Sequence, residues 1–121
     1  MDLEMLHLSL IISISGLLIL TFANENLKPP LSEINQINAN SLGKNVHIRG
    51  NISKIHEFKG GSMLLVLSDS TGRIDVYLPY NVAKELEPVN STELEIIGSV
   101  EIYRGKLEIL VEDINGILTI R

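Results

Sequence analysis

Leu64-Leu65-Val66-Leu67-Ser68-Asp69-Ser70-Thr71-Gly72-Arg73-Ile74-Asp75-Val76-Tyr77-Leu78 reads as strand, tight turn, strand. Apolar residues alternate on both sides of a D-S-T-G turn. Leu65 and Leu67 before it share one side with Ile74, Val76 and Leu78 after it. Successive side chains of a strand point to opposite faces, so this period of two marks a half-buried hairpin. Asp69 is suited to cap the turn with its carboxylate, and Gly72 to supply a positive φ. The outward set is then Leu64 and Val66 on one strand, and Arg73, Asp75 and Tyr77 on the other.

The same alternation extends outward from the hairpin. A first strand is expected from Val46 to Ile55, with Val46, Ile48 and Ile52 on one side and His47, Arg49, Asn51 and Ser53 on the other. Gly50 interrupts it, where a bulge or sharp coil would let one strand serve both halves of a small barrel. His56 to Gly61 reads as a loop. Pro79 lacks the N–H for a sheet ladder and ends the third strand. Asn81 is expected to cap a short helix, Val82 to Leu86, which Pro88 ends. A fourth strand runs from Glu93 to Tyr103, with Leu94, Ile96, Val100 and Ile102 inward and Gly98 as an interruption. Arg104-Gly105 turns the chain into a fifth strand, Lys106 to Ile114, with Leu107, Ile109 and Val111 inward. Asn115-Gly116 signals another turn before a short strand, Ile117 to Arg121. Upstream, Ser32 is expected to cap a helical turn that places Ile34 and Ile37 on one face. The class is all-β: five strands in Greek-key order with a helix between the third and fourth.

The N-terminus differs in kind. No charged residue occurs from Met5 to Ala23, and Leu6 to Phe22 is mostly Leu, Ile and Ser. That length is near the roughly 20 residues a helix needs to cross a bilayer. Ser13 and Ser15 can bond back to the helix backbone and so are tolerable in lipid. The segment reads as a permanent anchor, as an export signal cut after Thr21-Phe22-Ala23, or as a buried helix. A signal carries a basic leading region, and here Asp2 and Glu4 stand in its place, which favours the anchor. The expected division is an anchor or uncleaved signal segment over 1–23, a Pro29-Pro30 linker over 24–31, and the barrel domain over 32–121. The barrel is thus preceded by an N-terminal hydrophobic helix, a single-pass span. Lys28 alone leans the domain towards the cytoplasm. Asn51-Ile52-Ser53 and Asn90-Ser91-Thr92 are glycosylation sequons that matter only if the domain lies outside.

Net charge is −5; without Asp2 and Glu4 there remain 13 acidic and 10 basic side chains. A dedicated high-affinity nucleic-acid binder is usually basic, so any such binding here rests on a local patch. The chain has no cysteine, which excludes disulfides and thiolate metal sites. His7, His47 and His56 are scattered, and no nucleophile triad, phosphate-cradling loop or metal spacing is present in the sequence. A binding module without catalytic chemistry or cofactor is the expectation.

Three lines carry a family resemblance: Val46-x-Ile48-x-Gly50-x-Ile52; Leu65-x-Leu67-x-Asp69-x-Thr71-Gly72-x-Ile74-x-Val76; and Leu94-x-Ile96-x-Gly98-x-Val100. Together they resemble the OB-fold nucleic-acid-binding domain of the anticodon-binding type, found in class II aminoacyl-tRNA synthetases and archaeal single-strand-binding proteins. A second resemblance is to exported bacterial OB-fold proteins of the BOF type, which share the D-S-T-G turn and an N-terminal export segment. The first resemblance implies that single-stranded nucleic acid lies across strands 1 to 3 and the loops 1–2 and 4–5. Bases need aromatic or apolar faces, and phosphates need cations. The positions that match are Arg49 on strand 1, and Leu64, Val66, Arg73 and Tyr77 on strands 2 and 3. To these are added His56, Phe58 and Lys59 in loop 1–2, and Tyr103, Arg104 and Lys106 in loop 4–5. Glu95, Glu101, Glu108 and Glu112 are expected on an acidic face opposite this one. Two other readings stand beside nucleic acid: an exported or surface-tethered module for a protein, sugar or small cation, and an assembly domain that buries Leu64 and Val66 between protomers.

Overall fold

The computed structural model describes residues 28–86 and 92–120. The Met5–Ala23 segment, Pro88 and the first two residues of the Asn90 sequon lie outside the described residues. Among the described residues no helix is long and apolar enough to cross a membrane.

Six strands form one sheet: β1 Asn45–Glu57, β2 Met63–Ser68, β3 Arg73–Leu78, β4 Glu93–Tyr103, β5 Lys106–Leu110 and β6 Ile117–Ile120. All neighbours pair antiparallel except β3 with β5. The sheet order is β1-β2-β3-β5-β4-β6, and β1 also pairs with β4. The first five strands therefore close on themselves, and closure removes the exposed edges that an open sheet would present.

β1 makes the closure. Its first half pairs with β4 (Asn45↔Ser99 to Asn51↔Glu93) and its second half with β2 (Asn51↔Ser68 to Glu57↔Met63). At Gly50, a Cβ would sit 2.8 Å from the Ser68 carbonyl oxygen, so only glycine lets β2 come this close. The expected irregularity falls three residues later. Ser53 is the extra residue between the pairs Ile52↔Leu67 and Lys54↔Val66. A bulge reverses the parity of the strand residues beyond it. His56 therefore stands opposite outward-facing Leu64. The loop expected to begin at His56 begins only after Glu57.

The interior is wholly apolar among the described residues. Leu65, Leu67, Ile74, Val76 and Leu78 are buried from the hairpin, and Ile48, Leu94, Ile96, Val100 and Ile109 from the other strands. Ile102 is a correction: it keeps the parity of Val100 but lies past the last buried pair, Val100↔Ile109, and is 55% exposed. The fifth strand also ends earlier than expected, at Leu110; Val111 then turns inward, its amide bonded to the Tyr77 carbonyl. At Asn115-Gly116 the chain forms a single 3-10 turn, capped by the Asp113 carboxylate on the Asn115 amide at 3.2 Å.

The helix between β3 and β4, α1, spans Tyr80–Ala83 and lays Val82 and Ala83 into the core. Its cap is Pro79, not Asn81. The Pro79 carbonyl accepts from the Val82 and Ala83 amides, which displaces the start by two residues. Upstream, Ile34 and Ile37 are buried as expected, but their 3-10 turn begins after Glu33 rather than at Ser32. The Ser32 amide instead bonds the His47 carbonyl at 2.8 Å. The end of the expected linker is thus docked: the His47 ring bridges the Pro29 carbonyl at 3.1 Å and the Glu95 carboxylate at 3.0 Å.

Candidate functional site

The pairings place outward residues in transverse rows. One row runs His56, Leu64, Tyr77, Leu110. The next runs Lys54, Val66, Asp75, Glu108, Glu101. A third pairs Lys106 with Tyr103. Over the ends of these rows on β3, β5 and β4 lies an open groove of about 740 Å³. Phe58, Leu64, Tyr77 and Leu110 line one part of it, and Tyr103, Arg104 and Lys106 another. Asp75, Glu108 and Glu101 lie between them.

Local chemistry sets each part. The β1–β2 loop is closed by two backbone bonds, Phe58 amide to Ser62 carbonyl and Gly61 amide to Phe58 carbonyl, both 2.9 Å. This holds Phe58 at the groove edge, 41% exposed, its ring 6.5 Å from that of Tyr77 and tilted by 55°. The His56 ring meets the Phe58 ring edge-on, with centroids 4.6 Å apart. Such tilted and edge-on ring pairs are favourable, because the positive ring edge meets the negative face. At the far end the β4–β5 turn takes positive φ at both Arg104 (53°) and Gly105 (77°). That is the pattern of a two-residue hairpin turn whose twist matches its strands. The turn brings the Arg104 guanidinium over the Tyr103 ring, 5.3 Å from its centre.

The electrostatics are mixed. Lys106 sits 3.6 Å from Asp75. The Glu108 carboxyl is pushed above its usual range, first by burial and then by the charges of Asp75 and Glu101. Three carboxylates against two cations leave the groove weakly negative.

Of the expected residues, the groove gathers Phe58, Leu64, Tyr77, Tyr103, Arg104 and Lys106. His56 adjoins it through Phe58. Arg49 is elsewhere, on the β1–β4 face, 3.6 Å from Glu93. Arg73 stands at the start of β3 and Lys59 at the tip of the β1–β2 loop, both exposed and outside the lining. Val66 shares the acidic row without reaching the groove. The groove is therefore centred on β3, β5 and the tip of β4. The acidic face is also not opposite it: Glu101 and Glu108 share the groove with Tyr77 and Lys106. The parallel β3–β5 pairing joins the two sheet halves there, with Asp75↔Glu108 in register. No local pattern signals this, because alternation along one strand does not say which strand it will pair with. Among the described residues no cluster of side chains suits a metal ion.

No family model matches the chain, and no curated protein matches it significantly. Solved structures do. Asparaginyl-tRNA synthetase from Pyrococcus horikoshii aligns with a TM-score of 0.58 at 21% identity, over 68% of this chain and 21% of the synthetase. The chain thus spans about a fifth of that enzyme's length. The second OB-fold domain of replication protein A from Methanococcus maripaludis aligns at 0.54 and 21% identity, over 69% of this chain and 91% of the domain. An OBody bound to hen egg-white lysozyme aligns at 0.59 and 20% identity, over 72% and 89% of the two chains. The barrel is an OB-fold.

Proposed function

We propose that this chain is a membrane-tethered OB-fold module that binds short single-stranded nucleic acid in the groove between β3, β5 and the tip of β4. The carrying observation is a pair of aromatic platforms in one groove: Tyr77 with Phe58 at one end, and Tyr103 under Arg104 at the other. Stacking is worth about 1–3 kcal/mol per base and accepts any base, because every base has a π-face. Arg104 and Lys106 in the groove, with Lys59 beside Phe58, supply the cations for phosphates. They are few, and Lys106 is shared with Asp75. Stacking therefore outweighs charge, and binding is modest. Fold-level analogy to a synthetase named for tRNA supports the same reading. The uncharged Met5–Ala23 segment supplies the tether, and Lys28 after it favours a cytoplasmic barrel. The module acts by binding, not by catalysis.

The test is fluorescence anisotropy with the full chain in neutral-lipid nanodiscs and labelled oligonucleotides, at about 50 and about 200 mM salt. The log–log salt slope should be shallow, about −1.4 to −2.1, from two or three phosphate contacts at about 0.7 each. Tyr77→Ala should weaken binding. No saturable binding at the lower salt overturns the reading. One observation favours a second: Asp75, Glu101 and Glu108 would attract lysines or arginines of a protein ligand. A basic peptide binding where oligonucleotides do not would establish that alternative.

A further inference from the structure

Resting on the nucleic-acid reading, we propose that the groove discriminates between bases by their amino groups, taking cytosine and adenine over thymine and uracil. The order of the rows points to it. Tyr77 and Leu110 make the floor on which a base stacks. Asp75, Glu108 and Glu101 come next along the strands, two residues on. Tyr103 and Lys106 lie two residues further on β4 and β5. Residues two apart on a strand are separated by about 6.6–6.8 Å, a gap that the width of a base spans. A base on either platform therefore presents an edge to the carboxylate row between them.

An ionised carboxylate only accepts hydrogen bonds. The exocyclic amines of cytosine and adenine donate, and carboxylates read cytosine through that amine. Thymine and uracil carry a carbonyl oxygen at the corresponding position, which sets acceptor against acceptor. Lys106 occupies Asp75 at 3.6 Å, so Glu101 and Glu108 are the discriminating acceptors. The same row keeps phosphates off the groove centre and directs them to Arg104 at its end.

The experiment compares labelled oligodeoxycytidine and oligodeoxythymidine of about 12 nucleotides. It uses the full chain in neutral-lipid nanodiscs, as wild type and as the Glu101→Gln/Glu108→Gln double variant. The two pyrimidines share size and differ at the amine. Wild type should hold the cytidine strand about five- to tenfold tighter. In the double variant the ratio should fall towards one, because an amide both donates and accepts, while both strands bind at least as tightly once the repulsion is gone. Equal wild-type affinities, a preference for thymidine, or a ratio that survives in the double variant overturns the selectivity and leaves the nucleic-acid reading standing. Binding of neither strand overturns both. If the double variant does not fold by circular dichroism, the wild-type ratio decides alone.

Discussion

The Asp69 carboxylate accepts the backbone amide of Ile34 at 2.9 Å, across 35 residues of chain. Its other oxygen takes the Thr71 amide at 2.7 Å, the Thr71 hydroxyl at 2.5 Å and the Gly72 amide at 3.0 Å. One side chain thus closes the β2–β3 turn and fastens the upstream 3-10 turn to it. Ile34 stays in the core at that junction.

This arrangement predicts acid sensitivity. Burial alone would raise the Asp69 carboxyl, but the bonds from Thr71, Ile34 and Gly72 outweigh it and hold the group below its usual value. A carboxyl lowered on folding contributes stability that is present above its unfolded value and lost as pH falls through the folded one. Asp69→Ala should cost about 1–3 kcal/mol near neutral pH and much less in acid. Urea denaturation across that range measures it; an equal loss at both ends would refute it.

Glu108 predicts the opposite sign. Its folded value is raised by burial and by Asp75 and Glu101. The charged form therefore burdens the native state, and relief comes as pH falls below the folded value. Glu108→Gln should unfold at slightly higher urea than wild type at neutral pH, with the gap closing on acidification. A variant less stable than wild type at neutral pH would contradict the assignment.

Tyr77 and Phe58 should act as one platform. Each change to alanine is expected to weaken oligonucleotide binding by about 1–3 kcal/mol. Their effects should combine to less than the sum, because neighbouring rings share one base. Anisotropy titrations of the two single variants and the double variant form the cycle, and strict additivity would separate the two rings functionally.

Gly98 should not tolerate a side chain. A Cβ there would lie 2.5 Å from Ile109 Cγ2 and 2.7 Å from the Leu110 carbonyl oxygen. The second obstacle is backbone, which cannot swing aside as a rotamer can. Gly98→Ala should cost about 1–3 kcal/mol, measured by thermal or urea unfolding.

The hairpin is legible because each of its two strands buries one face, and burial writes itself as alternation. The inward assignments of Leu65, Leu67, Ile74, Val76 and Leu78 stand in the core. Element ends are less legible. Asn81 is as good a cap by type as any, yet the Pro79 carbonyl reaches the helix amides first. Gly72 is suited to a positive φ, but the turn closes through the Asp69 side chain, and positive φ among the described residues falls at Arg104 and at Gly43, Gly61 and Gly105. His56 reads as loop because nothing local signals the Ser53 bulge that carries β1 on to Glu57.

Alternation is a property of one strand at a time, so the inward face of the hairpin, the succession of strands along the chain and the apolar character of Met5–Ala23 are all readable before any strand has paired. It could not say which outward faces become neighbours. That required the chain to close, with β5 settling parallel to β3 and bringing Glu108 beside Asp75 and Leu110 beside Tyr77. The physical reason is range: burial acts on each residue where it stands, whereas a groove is made by residues that meet only after distant strands have paired. Closure of the barrel is therefore what puts the aromatic rings, the cations and the carboxylates on one surface.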